Sequence, residues 1–287
     1  MVTVFVRNYK IVDTLIIDVF STDAFWFAYI LAFLANKFKV QYINILHGGN
    51  LNNRLQNNKK MSAILFGKSL SNISPSIYLH NIFSKENFHV EYLPNFIDIE
   101  NYPFKQRTNF VCNILWVRSF HEIYNPLMAV RLLNELVKRG YDARLCMVGP
   151  DNDGSEKQVR LLAQKFNIMN RLNLTGRLSK IDWIKLSENY DIFLNTSNID
   201  NHPVSVLEAM ALGLPVVSSN IGGLPYLIEN GVDGLLNPAD NEKVFADSII
   251  ELLNNPDKAI TLAKNGRKKV ETFTWSNLKD RWLDILK

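Results

Sequence analysis

The stretch Asn201–Asp240, NHPVSVLEAMALGLPVVSSNIGGLPYLIENGVDGLLNPAD, decides the fold of this chain, and Asp200 stands directly before it. It predicts a polar loop, a helix over Val204–Leu212, a strand over Leu214–Ser218, a Gly-Gly turn and a further strand. The apolar, β-branched composition of the first strand is typical of a strand buried on both faces of a parallel sheet. The stretch therefore predicts an α/β protein.

Three features of this stretch indicate a ligand site. The helix over Val204–Leu212 follows a polar loop, so its first backbone N–H groups and the positive end of its dipole can bind an anion such as phosphate. Glu208 lies one turn into the helix, where its carboxylate can accept hydrogen bonds from sugar or ribose hydroxyls. Gly222 and Gly223 allow a ligand to approach the backbone closely at the carboxyl end of the strand.

The same stretch resembles the donor-sugar site of the retaining family-4 glycosyltransferases, which have the GT-B fold. That family has two acidic residues separated by seven others. The second acid is the first residue of the motif Glu-Ala-Met-Ala-x-Gly-x-Pro-Val-Val, which is followed by a Gly-Gly turn. Here Asp200 and Glu208 have that spacing, since 208 − 200 = 8. An ordinary βαβ unit whose acids are merely solvated is the alternative interpretation.

A second match begins at Ile114 with ILWVRSFHEIYNP. The resemblance implies that Arg118 neutralises the donor diphosphate, because a guanidinium forks onto phosphate oxygens. A surface salt bridge is the alternative role for this arginine. Tyr124 stands where the family has a lysine, and a phenol donates one hydrogen bond but brings no charge.

A third match is His47, which follows the predicted strand Tyr42–Leu46 and precedes two glycines. The resemblance implies that its imidazole faces the donor sugar, whereas a lone histidine is otherwise most often structural. His47, Arg118 and Asp200 are therefore the predicted catalytic residues. The resemblance also implies a set of donor-binding residues: Gly49, Tyr124, Gly149, Leu178, Asn201, His202, Val204, Ser205 and Glu208.

The alternation of strands and helices along all 287 residues predicts parallel sheets covered by helices. We expect a GT-B architecture of two Rossmann-like domains facing across a cleft. The predicted N-terminal, acceptor-side domain covers residues 1–108, and the predicted C-terminal, nucleotide-sugar-binding domain covers 109–287. The terminal helix at 274–287 is expected to cross back onto the first domain; completion of the second domain's core is the alternative.

The match is incomplete in the predicted first domain. The family opens this domain with a strand and a glycine-rich loop, whereas the first glycine of this chain is Gly48. We therefore expect the N-terminal domain to lack about one βαβ unit. Three explanations stay open at this point: a minimal first domain, a shortened gene start, or a relic that binds its ligand without transferring a sugar.

The bulk composition sets broader limits on function. A net charge of +4 and a pI near 8.9 suit an anionic substrate or an anionic membrane surface, but so small an excess does not argue for nucleic acid. The two cysteines, Cys112 and Cys146, predict neither a metal site nor a disulfide framework. The start MVTVFVRNYK lacks the features of a secretory signal, so we expect a cytoplasmic protein, with peripheral contact at the inner face of the membrane permitted.

The most apolar run is AFWFAYILAFLA, over Ala24–Ala35. It is shorter than the roughly 20 residues that cross a bilayer, so we predict a buried helix of an α/β domain.

Together, these matches imply a retaining glycosyltransferase that uses a nucleotide-diphosphate sugar and acts on a hydroxyl of a glycan or lipid-linked acceptor. We identify no Asp-x-Asp motif and therefore expect no metal and no cofactor; a helix dipole and Arg118 would take the place of the ion. A non-catalytic sugar-nucleotide-binding protein or partner subunit is the main alternative, and a GT-B sugar-nucleotide epimerase is a weaker one. The sugar, the base, the acceptor and the oligomeric state stay open.

Overall fold

The computed structural model describes residues 2–286, and over that range the chain forms two α/β units. The first unit contains the residues up to Phe96, the short loop Asp200–His202 and the residues from Ser276 onward. The second unit contains Ile97–Ile199 and Pro203–Trp275. Both units are built from parallel strands joined by helices, as the alternating sequence pattern predicts.

The first unit has a parallel sheet of order β1-β2-β3-β4 in the described part of the chain. Thr14 of the first strand lies opposite Gln41, and Ile43 lies opposite Ser71. The strands are β1 (Thr14–Val19), β2 (Gln41–Leu46), β3 (Ser71–Ser74) and β4 (Val90–Tyr92). The helices are α1 (Val2–Asn8), α2 (Ala24–Phe38), α3 (Leu51–Asn57), α4 (Lys59–Gly67) and α5 (Ile77–Lys85).

The second unit has a parallel sheet of order β10-β9-β8-β5-β6-β7 within residues 2–286. Its strands are β5 (Asn113–Val117), β6 (Arg144–Val148), β7 (Leu172–Gly176), β8 (Ile192–Asn195), β9 (Val216–Ser219) and β10 (Leu235–Asn237). The helices that follow in chain order are α6 (Pro126–Lys138), α7 (Ser155–Lys165), α8 (Lys180–Ser187), α9 (Val204–Ala211), α10 (Leu224–Leu227), α11 (Glu242–Asn254), α12 (Pro256–Glu271) and α13 (Trp275–Ile285).

The core of the second unit lies on both faces of its sheet. Successive side chains of a strand point to opposite faces, so β5 sends Ile114 and Trp116 into one apolar layer and Leu115 into the other. All three are buried. A continuous apolar strand is what burial on both faces requires, and it leaves the loops at the strand ends to carry polar chemistry.

The prediction of a buried helix over Ala24–Ala35 is wrong for one face of α2. Phe25 and Ala32 are fully buried, whereas Trp26, Phe27 and Phe33 are 38%, 55% and 50% exposed. The sequence is apolar around the whole helix, but only one face can contact the sheet at a period of 3.6 residues. Within residues 2–286, no helix has the length and apolar character needed to span a membrane.

The last helix, α13, packs with the first unit from Ser276 onward. Leu278 and Trp282 lie in a small apolar cluster with Ile43 and Ile73 of the first sheet. Arg281 donates from its guanidinium to the carbonyl of Tyr92 at the end of β4. Apolar side chains of α13 therefore pack against β2 and β3.

Arg107 is a buried cation that the sequence pattern did not predict. Its guanidinium donates hydrogen bonds to the carbonyl oxygens of Tyr190 at 2.6 Å, Gly213 at 2.9 Å and Ser187 at 3.0 Å. The side chain is 5% exposed, and burial lowers the pKa of Arg107 to about 10, so it stays charged near neutral pH. One side chain thus joins the residues after α8 to the turn after α9.

We predict that Arg107→Met lowers the free energy of unfolding by about 3 kcal/mol or more, because several buried carbonyl groups lose their donor. Urea unfolding of the purified protein measures this loss. The matched control is Arg160→Met on the surface of α7, where the pair with Glu156 lies on one exposed helix face and the expected change is within about 0.5 kcal/mol. Equal losses in both variants would contradict a structural role for Arg107.

Candidate functional site

The loops at the carboxyl ends of the second sheet carry most of the predicted site residues. Arg118 follows β5, Gly149 follows β6 and Leu178 comes after β7. Because parallel strands end at one edge of the sheet, these residues lie along the same edge. Strand β5 lies between β6 and β8, so the order of strands reverses beside it, and this is where open α/β sheets bind ligands.

Arg118 is held against Tyr124. The guanidinium carbon lies 4.8 Å from the centre of the tyrosine ring, which is a cation–π contact. The backbone N–H of Arg118 donates to the carbonyl of Val148 at 3.0 Å, which fixes the start of its loop. Tyr124 therefore has a physical role in the position where the family has a lysine: its ring restricts the arginine without adding charge.

Gly149 lets the loops after β5 and β6 approach each other. Its φ is +154°, and a Cβ atom at this position would lie 1.8 Å from the carbonyl oxygen of Arg118. Its N–H donates to the carbonyl of Gly176 at 2.9 Å. Any side chain at residue 149 would displace the backbone that carries Arg118.

The N-terminus of α9 has unused hydrogen-bonding capacity. No side chain caps it, and Pro203 stands at the N-cap in an extended conformation. The hydroxyl of Ser205 is buried and has no hydrogen-bond partner among residues 2–286. Val204, by contrast, is 41% exposed. A buried hydroxyl without a partner beside an uncapped helix N-terminus is a candidate binding position for a polar ligand.

Glu208 is buried in α9 and accepts hydrogen bonds from two residues that sequence reasoning missed. The Tyr102 hydroxyl lies 2.6 Å from Oε1, and the Lys180 Nζ lies 2.7 Å from the same oxygen. The carboxylate belongs to a residue that is 5% exposed. Tyr102 is 106 positions away along the chain, and no local pattern connects these residues. Lys180 could have been found from the sequence, because it lies two residues after Leu178, a predicted donor-binding residue.

In the first unit, His47 follows β2 and pairs with an acid that was also missed. Its Nε2 lies 2.8 Å from Oδ1 of Asp18, and its ring stacks on Phe20 with 5.1 Å between the ring centres. Asp18 fixes the orientation of the imidazole. With the proton on Nε2 donated to Asp18, Nδ1 is an acceptor for a ligand hydroxyl.

The loop Asp200–His202 is anchored within the first unit. The side chain of Asn201 donates from Nδ2 to the carbonyl of Leu46 at 3.0 Å and accepts from the hydroxyl of Ser76. A Cβ atom on Gly49 would lie 2.9 Å from the carbonyl carbon of Asp200, so this glycine allows a close backbone approach. The loop with Asp200 thus lies beside the end of the strand that precedes His47.

His202 is buried and electrically neutral near physiological pH. Its carbonyl accepts a hydrogen bond from Nδ2 of Asn95 at 3.1 Å. Burial lowers the pKa of His202 from 6.5 to about 4. A neutral imidazole adds no positive charge to the loop at Asp200.

The predicted site residues therefore occur in separate groups. In the second unit, Arg118 contacts both Tyr124 and Gly149, and Val204, Ser205 and Glu208 share α9. In the first unit, the end of β2 with His47 and Gly49 meets the loop Asp200–His202. The roles assigned to these residues stay predictions.

An Asp-x-Asp triplet, Asp151–Asn152–Asp153, follows β6, so the expectation that the sequence has no such motif is wrong. Its carboxylates shape the turn into α7. Asp151 accepts from the N–H of Gly154 at 2.9 Å, and Asp153 accepts from the N–H groups of Glu122 at 2.8 Å and Ser155 at 3.0 Å. Burial raises the pKa of Asp153, but its hydrogen bonds to Ser155 and Glu122 give a net lowering. The described residues contain no group of three His, Cys, Asp or Glu side chains placed to hold a metal ion.

Comparison with known proteins identifies the family. The model of the family described as glycosyl transferases group 1 matches residues 103–269, more than half of the chain. The chain belongs to this family. The matched region holds Arg118, Glu208 and the strands that place them.

Curated relatives are similar over part of their length. The capsular polysaccharide biosynthesis glycosyltransferase CapM of Staphylococcus aureus is 24% identical over 83% of this chain and 59% of its own length. The D-inositol 3-phosphate glycosyltransferase of Saccharomonospora viridis is 28% identical over 56% of this chain and 39% of its own length. The chain thus spans between two fifths and three fifths of the length of these two relatives.

Solved structures show the fold. HepE of Anabaena, solved in complex with UDP and glucose, has a TM-score of 0.84 at 17% identity, covering 99% of this chain and 80% of that protein. The sucrose-phosphate synthase of Thermosynechococcus elongatus has a TM-score of 0.83 at 17% identity, with 99% and 75% covered. The chain has the GT-B fold, as the sequence resemblance implies.

We predict that Gly149→Ala destabilises the protein by about 3 kcal/mol or more, because the new Cβ overlaps the carbonyl of Arg118. Gly140→Ala is the matched control. Gly140 also has a positive φ, +88°, but nothing lies within 4 Å of its Cβ position, so only backbone strain of about 1 kcal/mol is expected. Chemical denaturation compares the two. Similar losses would show that strain alone, and not the close approach, sets the requirement for glycine at 149.

The lowered pKa of His202 predicts a loss of stability as the pH falls. Between 6.5 and about 4 the unfolded chain binds a proton on this residue that the folded protein does not. The contribution of neutral His202 to the free energy of unfolding is therefore fully present above about pH 6.5, and it falls by about 2 kcal/mol when the pH is lowered to about 5. Unfolding free energies of the wild type and His202→Gln near pH 7 and pH 5 measure it.

The variant is expected to lose less stability than the wild type on acidification. His89→Gln, which removes an exposed histidine, is the control and should follow the wild type. If His202→Gln and the wild type have the same pH slope, the neutral buried state of His202 is refuted.

Proposed function

We propose that this chain is a retaining glycosyltransferase that moves a sugar from a nucleotide-diphosphate sugar to a hydroxyl of a glycan or lipid-linked acceptor. Membership of the glycosyl transferases group 1 family supports the transferase class. The observation that carries the donor assignment is the N-terminus of α9, where the Ser205 hydroxyl is buried without a partner. Glu208, an acceptor for hydroxyls, lies one turn further along the same helix.

The second unit is proposed to hold the nucleotide. Glu208 would accept hydrogen bonds from the ribose hydroxyls, because a carboxylate is an acceptor only. Arg118 would bind the diphosphate, since its guanidinium keeps a positive charge and can fork onto two oxygens. The cation–π contact with Tyr124 supports this role because it limits the positions of the guanidinium before a ligand arrives. Gly149 and Leu178 would line the nucleotide through their backbone.

The sugar is assigned to the residues around Asp200. In this proposal Asp200 and the backbone of Asn201–Ser205 bind the sugar hydroxyls, and His47 accepts a hydroxyl hydrogen bond near the reacting carbon. The C–O bond between the sugar and the diphosphate breaks, and the acceptor oxygen forms its bond on the face the diphosphate leaves, which gives retention. The acceptor's proton passes to the departing phosphate oxygen.

Charge neutralisation is proposed to come from the chain itself, without a metal ion or another cofactor. The dipole of α9 and the guanidinium of Arg118 supply positive potential where the leaving diphosphate develops negative charge. We also propose a cytoplasmic location, where nucleotide sugars are available as donors.

One observation favours a second function, a sugar-nucleotide-binding protein without transferase activity. Tyr124 holds the place of the family's lysine, so the diphosphate site has one charge fewer. A weaker neutralisation of the leaving group slows bond cleavage more than it weakens ground-state binding. Donor turnover therefore decides between the two functions.

A thermal-shift screen against UDP, GDP, ADP and their common sugars is the direct test of the proposed function. Binding followed by hydrolysis of the sugar donor, with the released sugar keeping its anomeric configuration, would support a retaining transferase. Binding without turnover, also in the presence of glycan and lipid-linked acceptors, would favour the non-catalytic function. The absence of binding by all three nucleotide series would refute the donor assignment.

We predict that Arg118→Gln weakens the binding of the preferred nucleoside diphosphate by about 10- to 30-fold, because a charge-assisted pair to phosphate is lost. Binding of the free nucleoside, which has no phosphate, should stay within about twofold. Calorimetric titration of both ligands measures the difference, with Arg160→Gln on α7 as a charge-matched control. Equal losses for nucleoside and nucleoside diphosphate would be incompatible with phosphate binding by Arg118.

A further inference from the structure

The geometry points to Tyr102 and Lys180 as positioning residues that hold the Glu208 carboxylate in place for the ribose hydroxyls of the donor. This inference rests on the proposed function, because it names what orients the ribose-binding acid. Neither residue belongs to the motifs by which the sequence resembles the family.

The three side chains form one contact group. The Tyr102 hydroxyl and the Lys180 Nζ lie 2.6 Å and 2.7 Å from Oε1 of Glu208, and Nζ lies 5.8 Å from the centre of the Tyr102 ring. The Tyr102 hydrogen bond and the 2.7 Å contact with Lys180 are both made to Oε1. The other oxygen, Oε2, is thus the one with which a ligand hydroxyl would pair.

The three residues come from different elements. Tyr102 lies in the segment before β5, Lys180 is the first residue of α8, and Glu208 is in α9. Ser179 caps α8 by accepting from the N–H of Asp182 at 3.2 Å, which sets where the helix that carries Lys180 begins. A carboxylate held by donors from two other elements has little rotational freedom, and a preformed acceptor binds its ligand with a smaller loss of entropy.

Charge is the second reason for the role of Lys180. Glu208 is 5% exposed, and a buried carboxylate without a cation is strongly disfavoured. Burial lowers the pKa of Lys180. Its hydrogen bonds to Glu208 and Tyr102 raise this pKa by a larger amount, so the net shift is upward and the ammonium stays charged. Burial and the bond to Glu208 raise the pKa of Tyr102 to about 12, so its hydroxyl keeps its proton and donates.

A positioning role of Tyr102 and Lys180 predicts a selective change in ligand affinity that a purely structural contact would not produce. If Tyr102 and Lys180 act through Glu208 on the ribose, their removal should weaken only ligands that carry ribose hydroxyls. A general loosening of the fold would weaken all nucleotides together. The ratio of affinities for UDP and 2′,3′-dideoxy-UDP therefore isolates the positioning effect from stability.

The experiment is a calorimetric titration of the full chain with UDP and with 2′,3′-dideoxy-UDP. The GDP and ADP pairs are titrated in the same way. We expect the wild type to prefer the ribose form of its best nucleotide by about tenfold or more. Lys180→Met should lower this preference to about twofold, Tyr102→Phe should lower it by about threefold, and Lys180→Arg should keep most of it because the cation remains.

Two further variants show whether Lys180 acts through Glu208. In a Glu208→Gln background the ribose preference is already reduced, and adding Lys180→Met should change it no further, because residues that act as one unit are not additive. Lys258→Met is the matched control, since Lys258 pairs with Glu251 at 2.6 Å in another part of the second unit. This control should keep the wild-type preference.

The outcomes separate this inference from the proposed function. A wild-type preference for ribose that survives in Lys180→Met overturns the positioning role and leaves the donor assignment intact. Equal affinity of the wild type for the ribose and dideoxy forms overturns the assignment of Glu208 to ribose, and the positioning role with it. If the wild type binds no UDP, GDP or ADP, both the proposed function and this inference fail.

Discussion

The parallel pairing of β5 with β6 on one side and β8 on the other is the constraint on which the second unit depends. It brings the loops after these strands to one edge, and it puts the reversal of strand order directly beside β5. Ile114, Leu115 and Trp116 of β5 are buried in the two layers of the core, so these side chains are not available for ligand chemistry. The proposed ligand chemistry accordingly lies in the loops and the helix N-terminus at that edge, with Arg118 and α9.

Two buried polar groups in this unit, Arg107 and Glu208, are matched to partners from distant segments. Arg107 satisfies carbonyl oxygens after α8 and α9, and Tyr102 with Lys180 satisfies Glu208. Such groups are costly in an apolar environment unless they are paired, so each pairing also fixes the relative placement of the elements that supply it. The hydroxyl of Ser205 and Nδ2 of Asn237 are buried without a hydrogen-bond partner among residues 2–286.

Tyr124 lowers the positive charge of the proposed diphosphate site, but its ring still packs against Arg118. A lysine would bring a second point charge, whereas the tyrosine ring binds the face of the Arg118 guanidinium. Binding of the diphosphate and stabilisation of the leaving group then depend on one arginine and the helix dipole. The two proposed functions differ in whether this is sufficient for turnover, and the same residues would bind the donor in both.

Sequence periodicity by itself determined much of the fold. The strands predicted over Tyr42–Leu46 and Leu214–Ser218 occur as Gln41–Leu46 and Val216–Ser219, and the helix predicted over Val204–Leu212 occurs as Val204–Ala211, because the periodicity of apolar residues is a local signal. The helices Val2–Asn8 and Leu51–Asn57 were not predicted; the second is rich in asparagine, and its two leucines become buried only through contacts with distant residues. The motif spacing likewise identified Glu208, Arg118 and His47 as candidates.

Tertiary structure alone decided the partners of these candidates. Asp18 beside His47, Tyr124 on Arg118, and Tyr102 with Lys180 on Glu208 are pairs that no motif spacing predicts. It also decided which side of the all-apolar α2 is exposed, since its sequence has no polar face. The physical reason is the same in each case. Local sequence fixes the backbone conformation and the direction of each side chain, but the partner that a side chain meets depends on how distant segments pack.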